Sequence, residues 1–146
     1  MSDEGSISVM REATVPYAVT QGTPADALTS HGPDDKDLWN KAIESMLDWR
    51  SDPTQFAPED QPDLAILDTA IDYAMDSIPK KVPAPSSVAP SGSGRVSFEW
   101  HAGNDAVIFE IVRRGEAEYT RFAGGNVVRQ GRFIRNPMTR KLELES

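Results

Sequence analysis

Asp68, Asp72 and Asp76 recur at four-residue spacing, which on a helix stacks three carboxylates into one ridge. Paired carboxylates can cleave a glycosidic bond or hold a hard cation. Cleavage also needs a substrate groove that a fold of this size can hardly frame. The calcium-loop pattern is missing, because these aspartates lie on a continuous helical stretch. The ridge therefore reads as solvated or partner-facing. Of the two histidines, His31 stands between Ser30 and Gly32 in loop chemistry, and His101 falls on the polar face of a strand beside a turn. A solvated cross-strand role suits His101 better than that of a general base. No serine occupies a G-x-S-x-G elbow, and no Ser–His–Asp set suggests itself. Gly92-Ser93-Gly94 precedes a strand, whereas a phosphate cradle leads into a helix. The chain has no cysteine, which removes disulfides, thiolate metal sites and a thiol nucleophile. Met46 and Met75 read as core. The expectation is a protein without catalytic activity, metal or cofactor.

The elements that would position these groups are legible in the periodicity. Trp39, Ala42, Ile43, Met46 and Trp49 recur at three- and four-residue steps and predict a helix from Asp34 to Arg50, with Asp52-Pro53 stopping it. A second helix is predicted from Pro62 to Ile78, with Leu64, Leu67, Ile71, Ala74 and Ile78 as its apolar stripe. Residues 34–79 thus form a helical pair. Residues 80–94 are rich in proline, serine and glycine and read as an extended linker, either free or lying across the core as a strap. Residues 1–33 show no sustained period and read as a flexible arm that orders on a partner, and residues 137–146 read as a tail.

From Arg95 onward the pattern alternates. Val96, Phe98 and Trp100 share one face, and the Gly103-Asn104 turn sets Trp100 against Val107, Phe98 against Phe109 and Val96 against Ile111. Arg113-Arg114-Gly115 makes a second turn, setting Ile111 against Ala117 and Phe109 against Tyr119. Gly124-Gly125-Asn126 makes a third, leading to a strand from Val127 to Ile134. The expected fold class is α+β: two amphipathic helices packed on a four-stranded antiparallel meander over residues 95–136. Residues 34–136 form one domain.

Charge is divided unevenly. Residues 1–79 carry 16 acidic and 4 basic side chains, a balance of −12, and residues 80–146 carry 7 acidic and 11 basic, a balance of +4. Such asymmetry is a cue for a charged partner. One reading is that the two halves are solvated or pair within the fold. Another sets Asp68, Asp72 and Asp76, with Glu99, His101 and Glu110 on the sheet, against a protein partner with a basic surface. The alternative is nucleic-acid binding through Arg121, Arg129, Arg132 and Arg135. The net charge of −8 disfavours it, as does a sheet without the aromatic–glycine signature of RNA binders.

Pro83-x-Pro85, Pro90 and Gly94-Arg95-Val96-Ser97-Phe98-Glu99-Trp100, followed by Phe109-Glu110-Ile111, Gly115 and Glu118-Tyr119, resemble a loose group of small bacterial proteins. In that group a helix and a Pro-rich linker precede a G-x-V-x-F-E-W hairpin. The resemblance covers roughly residues 62–122 and departs at Ser93-Gly94, where the group has paired glycines, and at Arg114-Gly115, where it has a D-G turn. It implies a fold rather than an activity. No run of 18 apolar residues is present, and Met1-Ser2-Asp3-Glu4-Gly5 lacks the apolar stretch of a secretory signal. The combined expectation is a non-enzymatic, cytoplasmic protein-interaction module of the antitoxin, immunity or accessory-subunit type.

Overall fold

In the computed structural model, which describes residues 35–145, the first helical period becomes α1 (Asp35–Ser51). Asp35 and Asp37 occupy its first turn and Arg50 its last, so charge complements the helix dipole at both ends. Trp39, Ala42 and Met46 are buried. The chain then passes through two short 3₁₀ turns, Pro53–Gln55 and Pro58–Asp60. The arm expected over residues 1–33 lies outside the described residues.

The second helix, α2 (Leu64–Ser77), starts two residues later than Pro62. Asp63 is its N-cap: the carboxylate accepts the backbone N–H groups of Ala65 at 2.9 Å and Ile66 at 3.2 Å. Asp63 also donates its own N–H to Gly94 O at 2.9 Å, which ties the start of α2 to a turn of the sheet. Asp63→Ala is expected to lower the unfolding free energy by about 1 kcal/mol, read from the urea midpoint at unchanged slope. An unchanged midpoint would show that the cap is redundant. Leu67, Ala70, Ile71, Tyr73 and Ala74 face inward. Two residues read as core are outside it: Met75 is 56% exposed and Leu64 48%. Met75 follows Asp68 by seven residues, so it falls on the acidic ridge and not on the apolar stripe.

The four-stranded expectation is corrected to a six-stranded antiparallel sheet. Its strands are β1 (Ser87–Gly92), β2 (Arg95–Ala102), β3 (Asp105–Arg113), β4 (Glu116–Ala123), β5 (Asn126–Arg135) and β6 (Leu142–Leu144), in that spatial order. The additional strands are the two edges. β1 takes up part of the segment read as linker, and Pro90, opposite Val96, is accommodated because an edge strand needs hydrogen bonds on one side only. β6 takes up part of the segment read as tail, pairing Leu142 and Leu144 with Arg135 and Phe133. The inner registers are those the turns predict: Trp100 opposes Val107, Phe98 opposes Phe109, and Tyr119 opposes Phe109 from the other side.

The remainder of the linker is a strap. Trp39 Nε1 donates to Val82 O and Trp100 Nε1 to Pro83 O, each at 2.8 Å, and Val82 and Pro83 are buried. Trp39, Tyr73, Phe98, Phe109 and Phe133 form a chain of ring contacts with centroids 4.5–6.1 Å apart. This is the core between the helices and one face of the sheet. Along α2, Asp63 meets the β1–β2 turn, and Thr69 Oγ1 accepts Gly115 N–H of the β3–β4 turn at 3.1 Å. Asp72 reaches Arg135 and Asp76 reaches Lys141. The helix therefore runs across successive strand ends. Among the described residues, no helix is long and apolar enough to cross a membrane.

Candidate functional site

The acidic ridge is engaged within the fold. Asp68 accepts a two-pronged contact from Arg50 of α1, with Nε at 2.6 Å and Nη2 at 3.4 Å. Asp72 lies 3.6 Å from Arg135 at the end of β5, and Asp76 lies 3.8 Å from Lys141 in the β5–β6 connection. The hydrogen bond from Arg50, with that cation's charge and Arg114 in support, holds the Asp68 carboxyl below the usual carboxylate range against the opposing effect of burial. Asp68 therefore binds its proton more weakly in the fold than in the unfolded chain. Its contribution to stability is present above the ordinary carboxylate pKa and is lost as pH falls through the lowered one.

Between α1, α2 and the strand ends lies an open groove of about 350 Å³. Arg50, Arg114, Arg135 and Arg140 line it together with Asp68 and Asp72. The sequence reading singled out the aspartates and Arg135. It grouped Arg114 and Arg140 with the basic sheet and tail and missed Arg50; the three arrive from a tight turn, a loop and a helix end that share no period.

The remaining predicted residues are dispersed. Glu99 and His101 lie on the sheet face away from the helices, with His101 Nε2 3.0 Å from Glu99 Oε1. Ser86 Oγ accepts the backbone N–H of His101 at 3.0 Å and makes no hydrogen bond with the imidazole. The pair is thus a side-chain polar contact with no nucleophile hydrogen-bonded to the imidazole. Glu110 shares that face and is held by Ser91 Oγ at 2.7 Å and Arg95 Nη1 at 3.4 Å. Among the described residues, no cluster of three or more His, Asp or Glu is arranged to hold a metal ion.

Nor do the four arginines of the nucleic-acid alternative form one patch. Arg121 and Arg129 oppose each other across β4 and β5, on the helix-facing side beyond Tyr119. The Tyr119 hydroxyl is pushed above its ordinary pKa by burial, with Arg129 and Arg121 pulling the other way. Arg132 is on the opposite face, bound to Glu116 at 3.2 Å and Glu145 at 2.9 Å. Arg135 is at the far strand end, in the groove.

One further feature comes from β6 being short. It pairs with residues 133–135 of β5, and the chain adds one more bond from Glu145 N–H to Arg132 O at 2.7 Å. From Gln130 back to Asn126 every residue of β5 is exposed, and no described strand pairs with that edge. The alternation of an antiparallel strand aims the Gln130 N–H and C=O outward, as it does those of Arg132. Val127 and Val128 are 53% and 54% exposed beside them. No protein family, curated protein or solved structure matches this chain.

Proposed function

We propose that the chain is a non-enzymatic protein-interaction module of the bacterial cytoplasm. It accepts an extended, acidic segment of a partner protein along the open edge of β5. The observation that carries this reading is the outer edge of β5 at Gln130, which no described strand covers, with its outward backbone groups and the half-exposed Val127 and Val128 beside it. Such an edge templates strand addition: main-chain hydrogen bonds supply affinity, and alternate side chains supply selection. The acidic character of the partner follows from the cations at this end of the sheet. Arg121 stands opposite Arg129, and Arg121 Nε is buried with no hydrogen-bond partner among the described residues. A carboxylate on the incoming strand would complement these cations. The acidic ridge is the weaker candidate surface, since each of its aspartates already faces a cation of the fold.

Gln130→Pro removes an N–H that only an incoming strand would use and leaves the β4 ladder intact. The tagged wild-type chain, recovered from its host, should retain one stoichiometric protein companion. The Gln130→Pro variant should bind that companion about tenfold or more weakly while its circular dichroism matches the wild type. A companion held equally by the variant, and released instead by neutralising Asp68, Asp72 and Asp76, would return the interaction to the ridge. Co-eluting nucleic acid lost with salt would favour the arginine alternative, and a chain that comes out alone would sink the proposal.

A further inference from the structure

The groove at the other end of the sheet is a separate feature with its own chemistry. Along α2 and the strand ends it faces, three carboxylates (Asp68, Asp72, Asp76) meet six cations. Arg50, Arg135 and Lys141 each take one aspartate. Arg114, Arg140 and Lys80 make no ion pair among the described residues. Positive charge thus accumulates in a concave site of a chain whose net charge is −8, the reverse of what overall composition would place there.

Arg135 is held ready. Its backbone N–H donates to Gly115 O at 2.8 Å. Its stem lies against Gly115, where an added Cβ would come within 3.3 Å of the Arg135 Cβ. Its Nε is buried with no hydrogen-bond partner among the described residues, although a guanidinium Nε normally donates when buried. Arg140 holds a left-handed backbone, φ 64°, in a connection fixed by the Arg140 N–H to Asn136 O bond of 2.7 Å. Leu47 of α1 and Ala65 and Ile71 of α2 add apolar side chains to a lining that is otherwise polar.

We infer that this groove binds a small phosphomonoester, with Arg114, Arg135 and Arg140 holding the phosphate and Leu47, Ala65 and Ile71 receiving its organic group. Two cations in excess over the two carboxylates of the groove match a dianion. Guanidinium forks also suit phosphate oxygens better than lone ammonium groups do. Asp72 is the internal competitor: it lies beside Arg135 at 3.6 Å and is 66% exposed, so an incoming phosphate displaces a weak, screened contact.

The test is titration of the full ¹⁵N-labelled chain with inorganic phosphate and with phenyl phosphate, followed by amide and arginine Nε resonances. Both should shift Thr69, Gly115 and the Arg135 and Arg140 Nε signals, phenyl phosphate saturating at lower concentration. Arg114→Ala with Arg140→Ala should weaken binding on the order of tenfold or more. Asp72→Asn should strengthen it, a gain that an unfolded or damaged protein cannot mimic. Equal affinity for the two probes would reject the apolar subsite and with it the phosphomonoester. Shifts absent from the groove, or centred on Arg121 and Arg129, would overturn the site. Unchanged binding in the double variant, or weaker binding in Asp72→Asn, would do the same.

Discussion

Trp39→Ala is expected to remove about 3–5 kcal/mol of stability through lost packing alone. The indole is 1% exposed and meets Tyr73, Phe98 and Trp100 at 6.1–6.4 Å, so its removal opens a cavity at the junction of both helices and the sheet. The same change strips the donor from Val82 O, and a buried carbonyl left without a partner costs about 1–3 kcal/mol more. Domains of this size are stable by roughly 5–15 kcal/mol, so the loss takes a large share of the total. Trp39→Phe separates the two contributions, since it keeps an aromatic ring and removes the hydrogen bond. Urea unfolding at constant slope is the measurement. A midpoint for Trp39→Ala within about 1 kcal/mol of wild type would mean that neither the strap nor the ring cluster organises the core.

Gly131→Ala is expected to destabilise by about 1–3 kcal/mol, against the usual expectation for a glycine in a strand. Its backbone is not among those with positive φ, so alanine fits the conformation and restricting the unfolded chain would favour it by about 0.4–1 kcal/mol. The steric term is larger. Gly131 lies opposite Tyr119, and an added Cβ would stand 2.7 Å from Tyr119 Cε1 and 3.2 Å from Leu144 Cδ1. The Tyr119 ring cannot step aside cheaply, being buried and in edge contact with Phe133 at 5.7 Å. Adding Tyr119→Val to Gly131→Ala should recover part of the loss relative to the sum of the two single changes. Strict additivity would place the strain elsewhere.

The inner hairpins are legible in the sequence because two independent signals agree there. Gly103-Asn104 specifies a tight turn, and only the register it implies sets Val96, Phe98 and Trp100 against apolar partners. The edge strands carry no such agreement. β1 reads Ser-Val-Ala-Pro-Ser-Gly, a composition that says loop, and it becomes a strand because β2 offers an open ladder and two tryptophans anchor the strap before it. β6 has three residues, too few for alternation to register. The ridge of Asp68, Asp72 and Asp76 is plain from spacing, yet its cations are not. Arg50, Arg135 and Lys141 are each 18 or more positions from the ridge, and only the path of α2 across the strand ends brings them in. The groove is hidden for the same reason. The open length of β5 depends on where β6 stops pairing, a tertiary outcome that no local pattern encodes.

Every strand of the sheet pairs with its neighbour in the chain, so its ladders close short loops, the arrangement that topology makes quick to form. The helices stand in a different position. α1 and α2 precede all the strands that cover them, and although Trp39 meets Tyr73 between the helices, their apolar stripes have no sheet to pack on until β2 through β5 exist. At roughly 5–20 residues per second, synthesis of residues 95–135 takes roughly 2–8 s. During that interval the helices of the nascent chain have no sheet to cover their aromatic side chains. The acidic side chains of both helices then act as a solubility guard for a half-made protein, before they become one wall of a finished one.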